Sequence, residues 1–179
     1  MKPLAFVMTL ALGAAMITSC DKDDNKNTGS GNNNTTNPPG AGTGRAVIYS
    51  GSDSLVVEGP CGSQNNLGYS LITIEDADSS THTFNIALST IDLPMNTTIY
   101  TLSDTHETST EALMEFFVVQ GNSFIDWTSD SNSGAVTLTV NGNHVTCDFN
   151  HIPLQPSIVY NDAPWDQVGY VSGTMSFYN

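Results

Sequence analysis

Few residues of this chain stand at spacings that do chemistry. No Gly-x-Ser-x-Gly occurs, so the strained turn that exposes a hydrolase serine has no counterpart. His106-Glu107 opens like a zinc-protease helix, but Thr110 stands where the second imidazole is required. Cys147 and His151 lie four apart in a strand-like stretch, which predicts that both face inward. Two ligands do not complete a zinc site, so core placement is the expectation for them. Asp76-Ala77-Asp78-Ser79-Ser80 and Asp130-Ser131-Asn132-Ser133-Gly134 alternate oxygen donors in the way a calcium loop does. Asp76, Asp78, Asp130 and Asn132 are the candidate ligands. Neither loop has the downstream acid and glycine placement of a full calcium loop, and the same residue types build ordinary β-turns. The expectation is therefore no bound metal and no cofactor. A glycosidase needs two carboxylates at a set spacing, and no pair is identifiable along this chain, so no enzymatic activity is expected.

Aromatic residues offer a better site. Tyr160, Trp165 and Tyr170 lie in or beside a proline-marked stretch, residues 152–168, with Asn161, Asp162, Asp166 and Gln167 between them. Rings beside amide and carboxylate acceptors suit the faces and hydroxyls of neutral glycans, and rings at a barrel mouth suit apolar small molecules. The competing reading is that Trp165 packs the loop onto the sheet. Trp127 alternates with Ile125 and is expected in the core.

The charge distribution narrows the partners. Lys2, Lys22, Lys26 and Arg45 are the only cationic side chains of Lys or Arg type, and all precede residue 46. From Ala46 onward there are ten Asp and five Glu. Nucleic acid requires cations against its phosphates, so it is excluded as a partner. The missing Arg and Lys clamps also disfavour nucleotides and anionic polysaccharides. Neutral glycans, cations, apolar ligands and basic protein surfaces remain.

The elements that must position any site are strands. Phe84, Ile86 and Leu88 share one face of a period-2 run, as do Val136, Leu138 and Val140, and Val145, Cys147 and Phe149. Asn141-Gly142 and Gly121-Asn122 mark hairpins. Further strands are predicted over 46–50, 54–58, 68–75, 98–102, 114–120, 123–128 and 170–178. Thr108-Ser109-Thr110-Glu111 fits a capping box, which predicts one helical turn over 111–115. The sum is an all-β domain, an antiparallel β-barrel or β-sandwich of about eight to ten strands. Cys61, placed in the loop Gly59-Pro60-Cys61-Gly62, and Cys147 are either bridged or two separate buried thiols. A bridge would close a loop of roughly 85 residues, worth about 4–5 kcal/mol.

The start of the chain has a short basic opening, Met1-Lys2, then an apolar run to Ile17 that is too short to span a bilayer comfortably. Ile17-Thr18-Ser19-Cys20 resembles the lipobox of bacterial lipoproteins, in which the cysteine is lipidated and becomes the new N-terminus. Lys22-Asp23-Asp24 resembles the export signal of Bacteroidota surface lipoproteins. The resemblance implies a signal peptide over residues 1–19, a lipidated Cys20 and a flexible tether over 20–44, and a folded domain over 45–179. It implies a membrane partner through the lipid anchor, at the outer membrane and facing the environment. The tether is rich in Asn, Thr, Gly and Ser and spans about 25–30 Å. The run 134–140 and the closing 171–177 resemble the small, partly lipocalin-like domains of uncharacterised lipoproteins of this group. Asp53-Ser54-Leu55 matches the O-glycosylation acceptor pattern of the same bacteria, which marks Ser54.

The expected function is non-catalytic ligand or partner binding at the cell surface, with a neutral glycan as one ligand. A lipocalin-like carrier of an apolar molecule and a structural or adhesion subunit are the alternatives. Replacing Cys20 with Ser is expected to move the chain from the detergent to the aqueous phase in a phase-partition assay and to abolish labelling by a fatty-acid analogue. Unchanged partitioning would remove the anchor.

Overall fold

The computed structural model describes residues 42–66, 68–77 and 82–179. The proposed leader, the lipidation site Cys20 and nearly all of the tether lie outside the described residues. No described residue is helical.

The first strand, β1 (Gly42–Ser50), turns through Gly51-Ser52 into β2 (Asp53–Asn66). There follow β3 (Tyr69–Glu75), β4 (His82–Leu88), β5 (Thr98–Leu102), β6 (Glu111–Gln120) and β7 (Ser123–Thr128). The chain ends with β8 (Ala135–Asn141), β9 (His144–Pro156) and β10 (Gly169–Tyr178). β1, β2, β3, β4 and β6 pair in turn, β6 pairs with β5, and β5, β8, β9 and β10 lead back to β1. The result is a closed nine-strand barrel, with β7 bridging β6 and β9. Closure removes most of the unpaired edge that an open sheet of this size would present.

The barrel is mixed rather than purely antiparallel. β5 and β6 run parallel through Thr101↔Glu111 and Leu102↔Ala112. Alternation alone predicts strands but not the direction in which neighbours run.

Three other expectations change. Cys61 lies within β2, opposite Gly42 and Ile74, not in a loop. Pro60 is tolerated there because the N–H it lacks would point away from β1, as does the Glu58 carbonyl that accepts from Ala77 N–H (3.0 Å). The capping residues make a turn instead of a helix. Thr108 N–H donates to Glu111 Oε2 (3.0 Å), and Glu111 then opens β6, whose alternating burial from Ala112 to Val118 fills the barrel. Burial of that face outweighs the modest helix propensity of the segment. β9 runs on through Pro153 to Pro156, so the loop beside the final strands is 157–168, shorter than expected.

The interior is filled. A void that admits water would expose its lining, and Ile72, Phe84, Ile86, Met114, Phe116 and Trp127 have no exposed surface. Rings cross the interior in contact. Phe149 stacks on Phe84 (4.8 Å between centroids), Phe84 meets Phe116 (6.2 Å), and Phe116 meets Trp127 edge to face (6.2 Å). Gly169 lets this packing close. A Cβ there would lie 2.4 Å from Ile48 Cδ1 and 3.1 Å from Trp127 Nε1.

Where β6 and β9 change partners, three buried serines complete the hydrogen bonding. Ser129 Oγ accepts from Met114 N–H (2.9 Å) and donates to the Ser103 carbonyl (2.8 Å). Ser103 N–H donates to the Ala112 carbonyl (3.0 Å), and Ser133 Oγ donates to the Pro153 carbonyl (2.5 Å). Buried backbone groups need such partners. Ser129→Ala leaves the Met114 N–H without one, and a loss of about 1–3 kcal/mol in urea unfolding is expected. A loss within measurement error would show that the seam does not depend on this hydroxyl.

Candidate functional site

At the β1–β2 turn end the outer wall carries an aromatic cleft. Tyr49 on β1 and Tyr170 on β10 are a register pair on adjacent strands. They are 53% and 38% exposed. Their rings are displayed because inward neighbours Ile48 and Val171 take the core positions and the pleat turns the next residue outward.

The third ring is placed by a β-bulge. Register shifts between Val171 and Gly173, so Asn150 and His151 on β9 together face Ser172. His151 takes the left-handed conformation (φ 56°), and its N–H donates to Ser172 Oγ (2.8 Å). Ser172 Oγ in turn donates to Asn150 Oδ1 (3.2 Å). The extra residue breaks the inward–outward alternation. Cys147 therefore points inward and is buried, whereas His151 is exposed and lies flat on Tyr170, 4.3 Å between centroids and 8° between planes. The expectation that both face inward is corrected by this bulge.

The far wall is Gln167 and Val168. Trp127 Nε1 donates to the Gln167 carbonyl (3.1 Å), which fixes the backbone there. The Gln167 amide stays beside Gly51, whose turn requires a positive φ (61°). Tyr49, Gly51, His151, Gln167, Val168 and Tyr170 enclose an open cleft of about 610 Å³. No carboxylate, Lys or Arg lines it.

Of the three predicted ligand-binding aromatics, Tyr170 alone lines the cleft. Trp165 packs edge-on against Trp127 (5.8 Å) and is partly buried on the core, as the packing reading expected. Tyr160 lies against Phe124 (5.9 Å), outside the cleft lining. Tyr49 and His151 were missed. Tyr49 sits in a predicted strand and carried no signal apart from its outward phase. The bulge that turns His151 outward has no sequence signature.

Asp130 is occupied by its own turn. Its Oδ1 accepts from Asn132 N–H (2.8 Å), and its Oδ2 accepts from the Asn132 side-chain amide (3.3 Å). The turn residues thus satisfy one another, which accounts for their spacing without a cation. Asp76 starts the connection to β4 through its N–H, which donates to the His82 carbonyl (3.0 Å), and Asp78 lies outside the described residues. Among the described residues no three His, Cys, Asp or Glu side chains gather at a metal-like site. Ser54 is exposed and pairs with Tyr49 across the hairpin.

Cys61 and Cys147 are free, buried thiols, so the bridge considered for them is not made. Burial pushes both up to about 12, and for Cys147 the nearby Asp148 and Cys61 add to the effect. The thiolate, which is the species that forms disulfides, is therefore suppressed.

Glu115 and Asp126 are diagonal neighbours on the outer face of β6 and β7. Burial raises Glu115, opposed by the bond donated from Asn85 Nδ2 (3.0 Å). Burial pushes Asp126 up to about 7, and the Glu115 charge adds to it. Asp126 Oδ1 is buried without a hydrogen-bond partner.

The chain matches no family model, no curated protein and no solved structure.

A folded pKa above the unfolded value near 3.9 means that the folded state holds the extra proton. The contribution of Asp126 is therefore full below about pH 4, falls as pH rises to about 7, and is flat above, a change on the order of 2–4 kcal/mol. Asp126→Asn keeps the shape and offers an amide to Glu115. It is expected to melt several degrees above the parent at pH 8 and close to it at pH 4. Parallel pH–stability curves for the two proteins would contradict this.

Proposed function

We propose that this chain is a lipid-anchored surface protein that binds a neutral ligand, with a neutral glycan favoured, in the cleft of Tyr49, His151 and Tyr170, without catalysing a reaction on it. The observation that carries the reading is the ring set itself. Two register-paired tyrosines and a histidine flat on one of them stand exposed beside an uncharged wall. Sugar C–H faces stack on such rings, and the Gln167 amide and tyrosine hydroxyls are suited to ring hydroxyls. The lining carries no cation to hold a phosphate, sulfate or carboxylate, and no carboxylate pair to perform acid–base chemistry.

The filled interior favours a ligand held on the outer wall over an apolar molecule enclosed within. The lipobox-like leader supports the anchor and the outer-membrane address, and the acidic composition suits an exposed, soluble surface.

A glycan array probed with the full chain is expected to light up neutral oligosaccharides and leave uronate- and sulfate-bearing ones dark. In calorimetry Tyr49→Ala and Tyr170→Ala are each expected to weaken binding by about tenfold or more, about 1.4 kcal/mol per tenfold. Binding that survives both substitutions, or a preference for anionic glycans, would overturn the reading.

A further inference from the structure

We infer that the loop 157–161, together with the outer face of β7, is a docking surface for a partner protein segment that carries apolar side chains rimmed by Lys or Arg. The loop is held at both ends. Ser157 N–H donates to the Asp126 carbonyl (2.9 Å), and Asp126 N–H donates to Asn161 Oδ1 (2.8 Å). Asn161 N–H closes the turn on the Ser157 carbonyl (3.0 Å), and its side-chain amide donates to the Trp165 carbonyl (3.0 Å). Asn161 is itself buried, so the clamp is shielded from competing water.

Ile158 is 98% exposed and Val159 72%. Next to the clamp, Phe124 is 46% exposed, stacks on Phe117 (5.9 Å) and meets Tyr160 edge-on (5.9 Å). Three rings thus meet on the outer wall, and the exposed Ile158 and Val159 directly precede the last of them in the chain. Single exposed apolar residues are ordinary, but a patch built on a hydrogen-bonded support marks an interaction surface.

Charge selects the occupant. Among the described residues Arg45 is the only Lys or Arg, and it is paired with Glu58 (2.9 Å) on the β1–β2 hairpin. Asp162 follows the clamp and is exposed, and the described residues carry fourteen Asp and Glu against that one arginine. A second copy would bring the same acidic, cation-poor surface against this one, and an anionic lipid surface would repel it. A basic rim around an apolar ridge complements both features, adding steering and selectivity to the apolar contact.

The test uses the full-length chain in unlipidated form and a display library of random dodecapeptides. Ile158→Ser with Val159→Ser serves as the counter-selection, because both side chains are exposed and their loss leaves the clamp intact. Enriched peptides are expected to combine Leu, Ile, Phe or Trp with Lys or Arg, to bind the double variant at least about tenfold more weakly, and to weaken as salt rises. Enrichment of neutral or acidic peptides, or equal binding to the variant, overturns the proposal. So does a dimer in sedimentation that the substitutions abolish, which would make a second copy the occupant. Binding to phosphatidylethanolamine–phosphatidylglycerol vesicles that the substitutions abolish overturns it in favour of a lipid surface. Glycan binding by the double variant is expected to be unchanged, which separates this surface from the cleft.

Discussion

A buried indole cannot leave its N–H unpaired without a cost of about 1–3 kcal/mol. Trp127 has no exposed surface, and its N–H finds its acceptor in the Gln167 carbonyl. That one bond joins the core to the loop before β10. It sets the far wall of the cleft and draws Trp165 onto Trp127 from outside. It also brings the chain so close to Ile48 and the indole that only glycine fits at 169. The cleft is therefore a consequence of how the core ends. A cleft built this way is preorganised, since the groups that shape it are already fixed by packing.

The barrel departs from regular pairing in two places, and each has a different effect. At the seam between β6 and β9, strand partners change, and Ser103, Ser129 and Ser133 supply the hydrogen bonds that the ladder lacks. Ser103 does so through its backbone, and the small hydroxyl side chains of Ser129 and Ser133 satisfy backbone groups without filling space needed by the rings. At the β9 bulge, one extra residue reverses the phase of the strand and turns an imidazole out to meet Tyr170. The first irregularity closes the barrel. The second builds a surface.

Acidic residues follow a related division. Most are solvated, but Glu115 and Asp126 are held in a crowded outer face, where burial and mutual repulsion favour a proton on Asp126. The backbone of the same residue clamps the apolar loop 157–161. Charge, packing and display of Ile158 and Val159 thus meet at one position of β7.

Much of the strand inventory was legible in the sequence. Phe84, Ile86 and Leu88 recur at every second position, with Thr83, Asn85 and the small Ala87 between them, and such a pattern is local. Gly142 and Gly121 marked hairpins because those turns need a positive φ. Trp127 was readable as core from its phase with Ile125. The expectation of no nucleic-acid partner rests on composition, because cations cannot be supplied by folding. By contrast, the segment from Glu111 was misread as a helical turn, since its propensity is local and the burial that decides for a strand is not.

What the chain determined by itself was period, turn chemistry and charge, all properties of residues and their near neighbours. Tertiary structure alone decided that β5 and β6 run parallel, that the interior is filled, and that Tyr49, His151 and Tyr170 meet while Tyr160 and Trp165 go elsewhere. It also decided that Cys61 and Cys147 remain thiols. Each of those outcomes depends on contacts between segments far apart in sequence, and a period-2 pattern carries no information about which distant strand will lie alongside.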